Sequence, residues 1–269
     1  LARPDPLFPG EVDAQLFERQ LRLVKRFYAP LPLAEAVQRL QDGSLPARAA
    51  CITFDDGYAD NAQVALPLLQ RHGLHATFFI ATGYLDGGQM WNDTVIEAVR
   101  QAPAPVLDLR ALGLDCLPVA NLAQRQAAIA TLLGQLKYLP FARRQQLAMH
   151  ICRQAGATAG APAMLSTAQL RQLQAAGMEL GAHTMSHPIL STLPDHAARL
   201  DIANGKHRLE SLIQAPVTAF AYPNGKAGLD YGASHVAMVR SLGFQTAVAT
   251  DRGVARPGAG LDLLQLPRF

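Results

Sequence analysis

Short apolar runs alternate with segments of helical period along most of this chain, and that alternation constrains the fold more than any other feature. Ala49–Phe54, His75–Ile80, Met178–Ala182, Val217–Tyr222 and Phe244–Ala249 read as strands. Between them, Asp60–His72, Thr167–Ala176, Asp195–Ile213 and Ser234–Leu242 read as helices. Ser166 and Gln169 form a capping box, and Gly73, Gly177 and Gly243 stand at helix stops. Strand, helix, strand in succession implies parallel pairing. Two helices, near residues 13–26 and Leu33–Leu40, precede the first strand, and Asn92–Arg100 is another helix. Residues 101–165 are less regular, with helices over Ala123–Leu136 and Phe141–Gln154. The expectation is one α/β barrel domain over 1–269, with 1–48 as a helical lead-in and about 101–165 as a helical insertion.

Composition narrows the function classes. A chain of 269 residues buries enough surface to fold without a disulfide or a metal. The formal charge is +3, and no Lys/Arg run exceeds the pair Arg143–Arg144, which argues against a nucleic-acid partner. The three cysteines, Cys51, Cys116 and Cys152, are too few and too widely spaced for a disulfide framework or a thiolate metal site. Cys51 reads as a small buried hydrophobe in a strand, and a reducing compartment is favoured. No apolar run approaches the ~20 residues a bilayer crossing needs. Leu1-Ala-Arg-Pro is not a signal peptide, and localisation stays open between bacterial cytoplasm and cell envelope. A monomer is the default expectation.

Three of the strands end in polar clusters: Asp55-Asp56-Gly57, His183 to His187, and Tyr222-Pro-Asn-Gly225. In an α/β barrel such strand ends meet on one rim, where chemistry collects. Histidines four apart lie on one side of a helical turn and can share a cation. Alone, the same spacing also fits two unrelated histidines beside a turn ended by Pro188. Acidic pairs before glycine are common in turns. At a parallel strand end, however, two adjacent carboxylates repel unless a cation relieves them, and one of the two then stays free as a base. Two histidines and one carboxylate leave an open coordination position, the mark of a catalytic site. Nitrogen and oxygen donors without thiolate suit Zn²⁺, with Co²⁺, Mn²⁺ or Ni²⁺ as alternatives. A non-haem Fe(II) oxygenase would use the same donors, but on an antiparallel jelly roll, and here strands alternate with helices.

At these residues the chain resembles the polysaccharide deacetylase family, also called the NodB-homology or carbohydrate esterase 4 family. Thr53-Phe-Asp-Asp-Gly-Tyr58, Gly177 to His187, and Phe220-Ala-Tyr-Pro-Asn-Gly225 carry the resemblance, with Ala76-Thr-Phe-Phe79 and Trp91-Asn-Asp93 in order between them. It runs from about Ala49 to the C-terminus. The resemblance implies a distorted (β/α) barrel that hydrolyses N-acetyl groups from N-acetylhexosamine units of an acetylated polysaccharide or oligosaccharide. Asp55 would be the general base, and Asp56, His183 and His187 would ligate the metal. The Asn224 N–H would hold the oxyanion. Trp91, Asp93, Tyr222 and Pro223 would contact the sugar, although Trp91 and Tyr222 fit core packing as well, Trp91 beside an Asn or Asp helix cap.

The chain departs from the family pattern twice. Ala221 stands where many members carry an arginine that orients the catalytic Asp. Arg268, in Leu266-Pro-Arg-Phe269, either takes that arginine's place or is a surface residue at a frayed end. The late histidine that protonates the leaving amine is missing, and His235, in a predicted helix, fits that role badly. The alternative reading is a catalytically weak or inactive carbohydrate-binding homologue that keeps the metal site. An intact Asp55 argues against it, because binding alone needs no free base.

Overall fold

The computed structural model describes residues 4–103, 105–158, 163–258 and 260–269, so the Leu1-Ala-Arg start lies outside them. Two compact units are present. One takes in Asp13–Gly87 and Met164–Phe269; the other takes in Gly88–Ala163 with the chain up to Val12.

The first unit is built on six parallel strands: β1 (Thr53–Phe54), β2 (Thr77–Ile80), β3 (Glu179–Ala182), β4 (Ala219–Ala221), β5 (Thr246–Arg252) and β6 (Leu266–Arg268). Their order in the sheet is β6-β5-β4-β3-β2-β1, so strands adjacent in sequence are adjacent in space. Every neighbouring pair is parallel, as the alternation of strands and helices requires. β2 is buried throughout, which fits β-branched and aromatic residues on a strand covered on both faces. Gly181 on β3 has a packing reason. A Cβ there would lie 2.4 Å from Cδ1 of Phe79, so only glycine lets that ring cross.

The sheet is curled into a half-barrel. Laid flat at about 4.8 Å per strand, its edges β1 and β6 would stand about 24 Å apart. Instead the Arg268 side chain on β6 donates to Thr53 Oγ1 on β1 at 3.2 Å. The α/β barrel architecture expected from the sequence is therefore the one observed, in open form.

Local boundaries differ where chemistry or partners were hidden. Ala49–Phe54 is not one buried strand. Ala49–Ala50 pairs with Ala29–Pro30 in a separate ladder, and only Thr53–Phe54 joins the sheet. The whole run is half-buried, Cys51 included; burial with a contribution from Glu179 nevertheless pushes the Cys51 thiol up to about 12. Asp60–His72 opens with a π-helical turn over Asn61–Ala65 before the α-helix Leu66–His72. Pro67 has no N–H to donate, and the wider turn, closed by Leu66 N–H to Asn61 O, absorbs that gap. The capping box at Ser166/Gln169 is present, and Asp195–Ile213 is a helix over those bounds.

The second unit packs the helices Trp91–Gln101, Leu122–Leu136 and Phe141–Gln154 around Val95, Val99, Leu132 and Ile151. It also holds an antiparallel pair, Val106–Asp108 with Cys116–Pro118, which the sequence pattern did not reveal because three-residue strands are too short to show a period. Cys51, Cys116 and Cys152 are free thiols. Among the described residues, no helix is long and apolar enough to cross a membrane.

Candidate active site

The C-terminal ends of the strands and the loop after β3 supply the groups that converge. Asp55 and Asp56 follow β1, His183 follows β3, Ala221 ends β4 and Arg268 ends β6. Asp56 adopts φ +74° and Gly57 φ +89°. The left-handed region is uncommon for a residue with a Cβ, and here it follows directly on Asp55. Asp56 faces the two histidines, while Asp55 faces Arg268.

His183 and His187 converge, but not by the helical turn that their spacing suggested. The segment between them is a loop, with Thr184 at φ +65° and His187 at φ +51°. Each such non-glycine residue costs on the order of 1–3 kcal/mol unless its surroundings enforce it. The enforcement is visible. His187 N–H donates to Thr184 Oγ1 at 3.0 Å, Gly83 N–H donates to Met185 O at 2.7 Å, and Tyr84 OH donates to Ser186 O at 2.8 Å. Gly205, on the helix Asp195–Ile213, lets that helix come close: a Cβ there would lie 2.4 Å from the Thr184 carbonyl carbon.

The donor set fits a single divalent cation. His183 Nε2 and His187 Nε2 stand 3.2 Å apart. Asp56 Oδ1 lies 3.3 Å from the first and 3.2 Å from the second. Donors about 2.1 Å from one centre in tetrahedral directions would be about 3.4 Å apart. The tautomer also fits. His183 Nδ1 lies 2.7 Å from Ala221 O; a carbonyl only accepts, so Nδ1 carries the proton and Nε2 is left to bind. Burial raises the Asp56 carboxyl pKa, but the hydrogen bonds to His183 and His187 outweigh it and hold the group far below the usual range. Burial lowers the His183 imidazole pKa, Asp56 raises it, and the net direction is up. A carboxylate and two imidazoles whose ligand atoms meet within 4.8 Å are what a cation site requires.

Asp55 is separate from that set. Arg268 donates Nη1–H to its Oδ1 at 2.8 Å and Nη2–H to its Oδ2 at 2.7 Å, a two-pronged pairing. The guanidinium is itself fixed, donating Nε–H to Ala249 O at 2.8 Å and reaching Thr53 Oγ1. Arg268 lies on the edge strand β6 rather than at a frayed end.

The remaining sequence candidates divide. Asn224 is half-buried at φ +61°, followed by Gly225 at φ +74°, and the Asn224 N–H has no acceptor among the described residues. Tyr222 is a correction. Its ring is fully buried and stacked on Tyr231 at 3.8 Å, and its OH donates to Leu264 O at 3.0 Å, so it packs the core and offers no face to a sugar. Pro223 is buried as well. Trp91 and Asp93 belong to the other unit. Trp91 opens a helix whose N-cap is Met90, neither Asn92 nor Asp93, and its ring is 9% exposed under the Arg144 guanidinium. Asp93 is half-buried in the first turn of that helix. His235 is buried in the helix Ala233–Ser241, where its Nδ1 accepts from Gly232 N–H. Sequence reasoning missed Gly83, Tyr84, Asp201 and Gly205 around the histidine loop, because nothing in their local patterns points to it.

A cavity of about 680 Å³ opens at the other ends of the strands, lined by Gln38, Glu179, Ala219 and Thr246 among others. It holds none of the converging groups, so its size does not mark the chemistry.

A family profile described as polysaccharide deacetylase matches residues 42–106 and 122–247. Asp55, Asp56, His183 and His187 fall inside that match and Arg268 outside it. The chain is 20% identical over 237 residues to YxkH of Bacillus subtilis (strain 168), a protein named provisionally as a polysaccharide deacetylase. That alignment covers 88% of this chain and 57% of the relative, so the chain spans little more than half the relative's length. Among solved structures it is similar to the Streptococcus pyogenes deacetylase PplD in complex with acetate, at 21% identity and a TM-score of 0.61, covering 96% of this chain and 80% of that one. It is also similar to IcaB from Ammonifex degensii, at 19% identity and a TM-score of 0.62, covering 96% and 83%. At these identities the two structures speak to the fold, and they share it.

Proposed function

The chain belongs to the polysaccharide deacetylase family, and from that premise we propose that it is a metal-dependent hydrolase removing N-acetyl groups from N-acetylhexosamine units of a polysaccharide or oligosaccharide. The observation that carries this reading is the division between adjacent carboxylates. Asp56 is turned to the two histidines, and Asp55 is held apart by Arg268.

Asp56, His183 and His187 would hold one divalent metal, Zn²⁺ by preference for such donors and Co²⁺, Mn²⁺ or Ni²⁺ as alternatives. When bound, such an ion supplies Lewis acidity toward a carbonyl oxygen and makes water a better nucleophile. Asp55 would act as general base. Arg268 occupies one lone-pair direction on each of its oxygens, which leaves acceptor capacity on both for the proton of an attacking water. Arg268 also keeps the carboxylate aimed. The Asn224 N–H, with no acceptor of its own among the described residues, suits the role of donor to the oxyanion that forms as the acetyl carbonyl becomes tetrahedral. A carbohydrate-binding homologue without turnover would not need a free carboxylate held by a dedicated arginine.

The test is acetate release from N-acetylated chito-oligosaccharides, with and without added Zn²⁺ or Co²⁺, for the wild type and Asp55→Asn. Release by the wild type and its near loss in the variant are expected. No release from any acetylated oligosaccharide while metal is bound would remove the enzyme reading, and release unaffected by Asp55→Asn would remove the role given to that residue.

A further inference from the structure

We propose that Asp201 is the positioning residue that fixes the loop carrying His183 and His187, and that it thereby sets how tightly the site holds a divalent cation. The inference rests on the reading of Asp56, His183 and His187 as the metal ligands. Asp201 lies in the second turn of the helix Asp195–Ile213. Its Oδ1 accepts from Met185 N–H at 2.9 Å and from Ser186 N–H at 3.0 Å, and its Oδ2 accepts from Ser186 Oγ–H at 2.5 Å. Its main-chain carbonyl takes a further, longer bond from Met185 N–H at 3.2 Å. Two successive N–H groups converging on one oxygen form a concave anion site of the kind that left-handed residues create, and Thr184 at φ +65° supplies the left-handed residue here.

The hydrogen bonds to the loop's carbonyls are neutral. Thr82 N–H donates to Thr184 O at 3.3 Å, Gly83 N–H to Met185 O at 2.7 Å and Tyr84 OH to Ser186 O. They secure the loop's carbonyls. Asp201 secures the N–H groups of Met185 and Ser186 with a carboxylate. Among the described residues no lysine or arginine pairs with Asp201, so its charge is committed to the loop. Without the carboxylate, Ser186 N–H and Oγ–H lose their acceptor and Met185 N–H keeps only the longer bond to the Asp201 carbonyl, so Thr184 and His187 are held less firmly in conformations that a Cβ disfavours. His187 Nε2 would then leave the position 3.2 Å from both Asp56 Oδ1 and His183 Nε2 that the donor set depends on. Outer groups that orient metal ligands typically contribute about 10–100-fold in affinity.

The test uses the full chain and Co²⁺ as the probe, titrated in competition with a chelating dye, with the visible absorption of bound Co²⁺ recorded alongside. Asp201→Ala should bind Co²⁺ about 10–100-fold more weakly and alter the absorption band, while far-UV circular dichroism and thermal unfolding of the metal-free protein stay near wild type. Asp201→Asn keeps an acceptor for Met185 and Ser186 N–H and should recover most of the affinity and the wild-type band. If Asp201→Ala does not fold, Ser186→Ala removes one of the three bonds without touching the helix and should weaken Co²⁺ severalfold. Wild-type affinity and an unchanged band in Asp201→Ala, or in Ser186→Ala where that is the variant available, would overturn the proposal. Failure of the wild type itself to bind Co²⁺ or Zn²⁺ would instead overturn the reading of the ligand set, a different result from the same titration.

Discussion

Asp55 and Asp56 are neighbours in the chain and have little else in common. Asp56 sits at φ +74° against two imidazoles, one of them buried. Asp55 meets a guanidinium carried by a strand from the far edge of the sheet. Two carboxylates this close would repel. Each instead has its own partners, two imidazoles for Asp56 and a guanidinium for Asp55. The difference shows how little backbone is needed to separate two roles: one left-handed residue at the end of a two-residue strand. It also shows that the two halves are supported differently. The histidine half is built within a loop and the helix beside it, whereas the Asp55 half exists only because the sheet curls far enough for β6 to meet β1.

Removing the proposed cation should be the largest perturbation and strike both halves at once. Treatment with EDTA, or His183→Ala, should take acetate release to background. Added Zn²⁺ should restore the stripped wild type and leave the variant inactive. Release that survives in His183→Ala would break the comparison, since the histidine half would then contribute nothing to turnover. Asp55→Asn separates the halves. The rate should fall by about 10²–10⁴-fold, the usual worth of a positioned base, while Zn²⁺ affinity measured by calorimetry stays at the wild-type level. A variant that lost metal and rate together would mean that Asp55 belongs to the ligand set after all.

The two halves were also unequally legible in the sequence. The strand-helix alternation exposed the parallel sheet, and the polar strand ends exposed Asp55, Asp56, His183 and His187. The reason first available for the histidine pair, a helical turn, was not the one that operates; the pair converges through left-handed Thr184 and His187, and sequence gives no direct sign of such backbone. Arg268 was visible only as one of two alternatives, because its partner lies 213 residues away and the strand that carries it is three residues long. Asp201 was not visible at all. It is an acidic residue in a helix, with no local pattern to distinguish it from a solvated one. Tyr222 was open in the other direction, since its place beside Pro223 and Asn224 in a recognisable motif allowed a pocket residue as well as a core one, and packing has made it core.

Arg268→Lys sharpens the contrast further. Lysine keeps the charge but not the fork, so one of the two bonds to Asp55 is lost along with the bond to Ala249 O. A charge-assisted hydrogen bond is worth about 1.5–3 kcal/mol, and 1.4 kcal/mol is tenfold in rate, so kcat should drop about 10–100-fold. KM and metal affinity should hardly move, because neither depends on the aim of Asp55. A wild-type kcat would show that Asp55 is aimed by something other than this arginine.

The smallest effect is expected at Tyr222, and it bears on where the active site ends. Its OH donates to Leu264 O within a fully buried stack on Tyr231. Tyr222→Phe keeps the stack and leaves one buried carbonyl without its donor, a loss of about 1–2 kcal/mol that should lower the unfolding midpoint by about 2–5 °C. Acetate release per folded molecule should be unchanged, since the ring touches neither half of the site. A fall in kcat at unchanged stability would return Tyr222 to the substrate pocket. It would also extend the Asp55 half beyond Arg268, because Tyr222 leads directly into Pro223 and Asn224, whose N–H is the donor assigned to the oxyanion.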